Sequence, residues 1–410
     1  MDKRIHYKNL ESLKQSGDPV VIFKIVRETE AIANACRDMG ILVVAFCDHE
    51  KRKTNENFCG LEVIHTSDLP KRFPKARIII SSQYVSDSMD QLSELGYNEF
   101  YSPLKLLENY DVNKHQHLIS KTYMKTQILS FKKSHEAYFD ENKTYMRSLD
   151  VMITTRCSLK CESCSNLMQY YVNPENSDHK KILDEINIIT NHVDDISEFR
   201  VIGGEPMMNK AWADITYGIV KNNPRRKVFI YTNGTIPAKE EQLEMFHGKN
   251  VNFVITDYGK LSRNIDKLKE KLTKHDIAFV STPVENWVDC SNIKHHKRSV
   301  SQLQEVYKTC SAKYLYTLLD GKLYSCPFIA NADKLNAIPD NPGNYVDLYS
   351  DAEKVKLKIK KLVKGVKFLP ACDFCDGRPY NSSSTKGYDG RGMITPAIQT
   401  PQVLPYKVYK

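Results

Sequence analysis

The hydrophobic pattern divides the chain into three zones and a polar connector. In the first zone, about Pro19 to Leu106, the apolar runs Val20–Ile25, Ile41–Phe46 and Ala76–Ser81 have the length and composition of strands buried on both faces. Glu28–Met39 repeats apolar residues at helical spacing and stops at Gly40. Residues 107–147 contain no Gly or Pro and predict a helical connector. The second zone alternates the apolar runs Leu149–Thr154, Phe199–Ile202, Lys227–Thr232, Val251–Thr256 and Ile277–Thr282 with helical patterns at Lys180–Val193, Lys210–Lys221, Ala238–Phe246 and Ser262–His275. That order predicts a parallel sheet or partial barrel, with its site at the carboxyl ends of the strands. The third zone opens on a hairpin, Tyr314–Leu319 and Lys322–Cys326, around the type I′ pair Asp320-Gly321. A lysine-rich helix over Asp351–Lys367 follows, with Val355, Leu357, Ile359, Leu362 and Val363 expected as its buried stripe. The expected division is 1–106, 107–147, 148–286, 287–380 and a tail, 381–410.

The first zone predicts a small α/β unit of Rossmann type. Its phosphate fingerprint is missing. Lys24, Val26 and Thr29 occupy the positions where a dinucleotide loop needs glycines, and their side chains would fill the phosphate space. Asp48, at the end of the second strand, reads as a strand-end residue, with a ribose ligand as the lesser alternative. The zone resembles the N-terminal Rossmann-like domain of sugar-modifying and polysaccharide-cluster proteins at the level of fold.

Composition narrows the class. The 410 residues are 41% hydrophobic and 27% charged, ordinary values for a globular protein. No apolar run approaches the ~18 residues of a membrane span. Met1-Asp-Lys-Arg-Ile-His6 opens no secretory signal, so a cytoplasmic location is expected. The net charge of +9 is thinly spread apart from the lysine-rich helix. With no recognised nucleic-acid module beside it, that helix reads as a solvated face. The 11 cysteines are the informative count. Clustered cysteines in a reducing compartment point to metal or iron–sulfur ligation, not to a disulfide framework.

The first strand of the second zone runs into Cys157-Ser-Leu-Lys-Cys161-Glu-Ser-Cys164. Three thiolates on one loop can hold a [4Fe–4S] cube and leave its fourth iron open. Zinc is the competing reading, although a structural zinc site takes four ligands. On this loop the chain resembles the radical S-adenosylmethionine (SAM) superfamily, which binds SAM at the open iron. Gly203-Gly204-Glu205-Pro206 follows the second strand, where that family holds the methionine amino group. Asn233, in Thr232-Asn233-Gly234, stands where family members often contact the ribose; a plain turn residue is the equal alternative. The residue before the third cysteine is usually aromatic in the family and covers the adenine. Here it is Ser163, with Tyr170 and Tyr171 nearby as substitutes or as ordinary packing residues.

Cys310, Gly321, Cys326 and the pair Cys372-Asp-Phe-Cys375 are similar to the Twitch/SPASM auxiliary-cluster pattern. No cysteine follows Cys375, and Asn381 stands where a SPASM cysteine would come, so the one-cluster Twitch form is the better match. A four-cysteine zinc site is the alternative. The resemblance covers roughly residues 148–380. Asn166–Tyr171, Thr256–Gly259, Trp287–Asp289 and Pro396–Gln399 also look like radical SAM proteins encoded with polysaccharide genes. Cys36 and Cys47 read as buried thiols, and His295-His296 as solvated.

The resemblance implies two [4Fe–4S] clusters, one binding SAM and one auxiliary, and a 5′-deoxyadenosyl radical that removes hydrogen from an unreactive C–H bond. It implies an oxidoreductase-like enzyme that oxidises, epimerises or eliminates at a carbohydrate carbon, including that of a nucleotide-linked sugar. The aminoglycoside dehydrogenase branch has similar cysteine spacing. The expected partners are the carbohydrate and a one-electron donor such as flavodoxin or ferredoxin; neither a nucleic acid nor a membrane span is expected. The alternatives are radical modification of a peptide side chain, though no winged-helix leader-binding domain is visible, and a non-catalytic metal-bound scaffold. Spacing singles out no acid/base residue.

Overall fold

The computed structural model describes residues 5–6, 10–15, 17–49, 56–284, 287–379, 393–394, 398–400 and 402–409. Most of the expected tail, 381–392 with 395–397, 401 and 410, lies outside them. The chain forms two compact units, Met1–Tyr145 and Met146–Lys410. Among the described residues no helix is long and apolar enough to cross a membrane.

The first unit is built on β1 (Ile5–His6), β2 (Val20–Phe23), β3 (Val43–Asp48), β4 (Asn57–Phe58), β5 (Leu61–His65), β6 (Arg77–Ile80) and β7 (Phe100–Tyr101), in the order β1-β7-β6-β2-β3-β5-β4. All pairings are parallel except β4 with β5. Strand order reverses between β2 and β6, as in a doubly wound fold. Alternation sends Ile22, Phe46 and Ile79 to one face with Ile32 and Cys36, and Phe23, Ile78 and Ile80 to the other with Met89 and Leu92. The segment read as a connector adds Met124, Ile128 and Phe131 of the helix Lys121–Phe139 to the first of these cores.

The turn after β2 is closed by the chain's own side chains, although Lys24 takes a left-handed φ of 76°. Asp48 is buried and its Oδ2 accepts from the Ile25 N–H (2.8 Å), while the Thr29 hydroxyl accepts from the Val26 N–H (2.8 Å). The amides that would meet a phosphate are taken by the chain's own side chains. Cys36 and Cys47 are buried, and desolvation pushes both thiols up to about 12.

The second unit holds β8 (Tyr145–Met152), β9 (Asp195–Ile202), β10 (Lys227–Thr232), β11 (Val251–Asp257), β12 (Ala278–Pro283), β13 (Trp287–Val288), β14 (Tyr316–Leu319), β15 (Lys322–Tyr324), β16 (Tyr345–Asp347) and β17 (Met393–Ile394). One sheet runs β12-β11-β10-β9-β8-β14-β15-β16; β13 and β17 form a separate antiparallel pair. The helices His179–His192, Trp212–Asn222 and Ile265–Lys274 cover one face with Ile186, Trp212 and Leu268. β14 pairs parallel to β8, and the β14–β15 hairpin turns on Asp320 and Gly321, whose φ values of 51° and 77° are those a type I′ turn requires. The hairpin that leads to Cys326 therefore shares the sheet of the cysteine loop's strand.

The lysine-rich helix Ala352–Lys364 buries Val355, Ile359 and Leu362, but Leu357 is 65% exposed. Two residues along a helix is about 200° of rotation, so Leu357 faces away from the stripe that Val355 begins.

Candidate metal centres

β8 ends at Met152 and leads directly into the loop of Cys157, Cys161 and Cys164. Neighbouring strand ends hold this loop. From β9, Gly204 N donates to Thr154 O (3.1 Å) and Glu205 N to Arg156 O (2.8 Å). From β10, Asn233 Nδ2 donates to Ser158 Oγ (3.1 Å) and approaches Cys157 Sγ at 3.8 Å. On the far side Ile398–Thr400 runs antiparallel to it: Glu162 N donates to Ile398 O, Thr400 N to Lys160 O, and Gln399 Nε2 to Cys161 Sγ (3.5 Å).

The glycines have a steric task. A Cβ on Gly203 would lie 2.5 Å from Thr154 O, and one on Gly204 2.3 Å from Arg156 O and 2.7 Å from Cys157 Cβ. The close approach they permit is to the cysteine loop itself. Pro206 starts a short 3-10 turn behind them. Asn233 is engaged within the chain on both sides of its amide, since Oδ1 accepts from Thr235 N (3.0 Å).

Glu205 is fully buried. Its carboxylate accepts from Asn233 N (2.8 Å), Met207 N (3.2 Å) and the Thr232 hydroxyl (2.9 Å), yet desolvation outweighs these bonds and pushes it up to about 7. The unfolded carboxylate loses its proton near pH ~4.3. The stability from this group is therefore complete below that pH, falls as pH rises, and levels off above about 7. Between about pH 5.5 and pH 8 the loss is on the order of 2 kcal/mol. Urea unfolding of the metal-free protein is expected to show this slope, and Glu205→Gln to reduce it by that amount; an unchanged slope in the variant would refute the assignment. Asp150 is a second buried carboxylate raised to about 7 by desolvation, against the pull of Arg200.

Sequence reading missed Tyr258, at the end of β11. Burial, and then the charges of Cys161, Cys164, Cys157 and Glu205, raise its phenol. Its ring meets Trp287 edge-on at 5.9 Å. Ser163 is buried and donates to Asp289 Oδ1 (2.9 Å). Tyr170 and Tyr171 are buried packing residues whose hydroxyls contact Ser291 O (3.4 Å) and Asn331 Oδ1 (2.8 Å).

Cys310, Cys326, Cys372 and Cys375 form the second set. Each of Cys326, Cys372 and Cys375 is raised by burial first and then by its fellow thiols, Cys310 among them. Arg298 braces the last pair, with Nη1 donating to Cys372 O and Cys375 O at 2.8 Å. N–H groups point at sulfur: Ala312 N to Cys310 Sγ (3.4 Å) and Gly377 N to Cys375 Sγ (3.3 Å). Of the histidines read as solvated, His295 is exposed and His296 half-buried, and both reach acidic residues of the Cys372–Asp376 segment. His295 stacks on Phe374 at 4.8 Å and sits 3.0 Å from Asp373; His296 Nε2 is 3.1 Å from Asp376.

Cys157, Cys164, Cys326, Cys372 and Cys375 all border one hydrophobic cluster, on the sheet face that carries Met152 and Ile202. Among the described residues no three Cys, His, Asp or Glu side chains converge tightly enough to hold a single metal ion. Within each set the thiols are near enough for their charges to raise one another. Soft sulfur donors, amide donors aimed at them and an apolar surround suit a multi-iron cluster, whose irons stand at separate corners.

Residues 151–276 match the model of the Radical SAM superfamily. That family implies a [4Fe–4S] cluster and SAM, and its members are enzymes. No curated protein matches the chain. Among solved structures, BtrN in complex with AdoMet and 2-DOIA is 16% identical, covers 59% of this chain and 97% of its own, and has a TM-score of 0.38. Streptococcus suis SuiB bound to precursor peptide SuiA is 14% identical over 48% and 52%, with a TM-score of 0.24. Methylornithine synthase (PylB) is 12% identical over 44% and 57%, with a TM-score of 0.25.

Proposed function

We propose that the chain is a radical SAM enzyme acting on a carbohydrate carbon, with Cys157, Cys161 and Cys164 holding the SAM-binding [4Fe–4S] cluster and Cys310, Cys326, Cys372 and Cys375 an auxiliary one. When bound, the first cluster and SAM supply a 5′-deoxyadenosyl radical able to take a hydrogen atom from a C–H bond. The observation that carries the reading is the three-cysteine loop at the carboxyl end of β8, ringed by Glu205, Asn233 and Tyr258 from the next three strand ends. In this reading Glu205, Asn233 and the Gly203-Gly204-Pro206 turn fix the loop against which SAM lies. Tyr258 and Trp287 shield it from water, which protects a reactive species. Four thiolates on the auxiliary cluster leave no iron for substrate and suit it to accept one electron from a substrate radical. With the hydrogen atom already taken by the 5′-deoxyadenosyl radical and a proton released to solvent, the outcome is a two-electron oxidation, whereas epimerisation or elimination would leave the cluster without a net electron. The likeness of Asn166–Tyr171, Thr256–Gly259, Trp287–Asp289 and Pro396–Gln399 to polysaccharide-cluster proteins supports the sugar.

The test is anaerobic reconstitution with iron and sulfide, then incubation with SAM, a one-electron reductant and a panel of free and nucleotide-linked sugars. About eight irons per chain and sugar-dependent 5′-deoxyadenosine are expected. Turnover with a peptide but no sugar would replace the substrate class. Tightly held zinc and no SAM cleavage would replace the whole reading with a scaffold.

A further inference from the structure

The two cysteine sets are joined by one strap of chain and one cation. At one end of the strap Asp289 Oδ1 accepts from Ser163 Oγ, and Ser291 Oγ donates to Ser163 Oγ (3.2 Å), beside Cys164. At the other end Asn292 Nδ2 donates to Asp376 Oδ2 (3.2 Å), Ile293 bridges to Cys375, and Lys294 N donates to Phe374 O (3.1 Å). Between them Cys290 is buried, and its sulfur accepts from Arg378 Nε at 3.0 Å.

Arg378 is fixed from the quartet's side as well. Its carbonyl accepts from Ser311 N (2.7 Å), and Pro379 bridges to Cys310. Its charge acts on Cys326 and on Cys164, and Cys375 and Cys310 act back on it. The main chain around Arg378 is thus tied to the segment that carries Cys310. No carboxylate pairs with it among the described residues. A cation drawn into a sulfur-lined interior is costly unless negative charge stands beside it. Four thiolates around an iron–sulfur cube are such a charge.

Resting on the two-cluster reading above, we propose that Arg378, anchored on Cys290, raises the reduction potential of the auxiliary cluster and so makes it the electron acceptor of the pair. One electron from an external reductant adds one negative charge to a cluster. A fixed guanidinium therefore favours the reduced form. Because Arg378 O accepts from Ser311 N and Pro379 bridges to Cys310, the guanidinium is anchored on the quartet's side and the auxiliary cluster shifts more than the SAM-binding one.

The experiment is a dithionite titration of reconstituted protein followed by electron paramagnetic resonance, with iron counted in each sample. Arg378→Gln is expected to shift the auxiliary couple about tenfold toward the oxidised form, 59 mV for one electron, with a smaller shift at the other cluster. Arg378→Lys is expected to restore most of it. An unshifted midpoint in R378Q overturns the inference, and so does a full shift in R378K, which would assign the effect to packing and not charge. Should R378Q fail to hold iron, Cys290→Ala carries the test. It frees the guanidinium from its anchor while keeping the cation, and is expected to shift the couple the same way by a smaller amount; no shift overturns the proposal. Wild-type protein with about four irons would instead sink the two-cluster reading itself.

Discussion

Cys157→Ala, Cys161→Ala and Cys164→Ala are each expected to abolish SAM cleavage and to lower the iron content from about eight to about four per chain. The loop has no spare sulfur: its other polar side chains are Ser158, bonded to Asn233, Ser163, bonded to Asp289, and the half-buried Lys160 and exposed Glu162. Loss of one thiolate leaves two anchors on a cube that needs three to keep its fourth corner open. Nothing compensates from the quartet, which needs all four of its own sulfurs. The fold should survive, because Cys157 and Cys164 only border their hydrophobic cluster and Cys161 contacts the Gln399 amide. Cys36→Ala is the control. That thiol is buried among the apolar residues of the first unit, so the change should cost some stability there and leave iron and 5′-deoxyadenosine untouched. Iron analysis and chromatography of 5′-deoxyadenosine read both quantities on one sample. A trio variant with eight irons and normal turnover would end the assignment of the loop.

Much of this site was legible because its chemistry is local. The cysteine spacing lies on one loop, the β10 pattern occupies Lys227–Thr232 as found, and Asp320-Gly321 has positive φ at both turn residues. The rest of the site comes from residues far apart in the chain. Gln399 reaches Cys161 across 238 positions, and Tyr258, Asp289 and Arg378 arrive from separate elements. No hydrophobic period marks such residues, since each acts through one tertiary contact and not through a face. The only forewarning was that Thr256–Gly259, Trp287–Asp289 and Pro396–Gln399 resembled one subgroup of proteins. Asp48 shows the reverse case: the missing glycines already implied a blocked turn, and its bond to Ile25 N supplies the means. Leu357 fails for a geometric reason, as a stripe read by counting apolar residues ignores the angle between successive positions.

Gly204→Ala is expected to fold and to lose about a hundredfold or more of SAM cleavage. The added Cβ would stand 2.3 Å from Arg156 O and 2.7 Å from Cys157 Cβ. These are the main chain and first side-chain carbon of the cysteine loop, not the far end of a flexible side chain. The loop cannot swing clear cheaply, because Gly204 N and Glu205 N hold Thr154 O and Arg156 O on the same side. Relief must therefore part the ends of β8 and β9, at an overpacking cost of about 1–3 kcal/mol. Cys157 moves with its loop, and a displacement of about 1 Å at a reacting centre costs on the order of a hundredfold in rate. Gly218→Ala separates this effect from mere crowding. Its Cβ would meet Leu183 Cδ1 at 2.5 Å, the end of a side chain that can change rotamer, and it lies within the helix Trp212–Asn222, where alanine is the better helix former by about 1 kcal/mol. Its thermal midpoint and SAM cleavage should stay near wild type. Equal behaviour of the two variants would show that the glycine pair does not set the position of the cysteine loop.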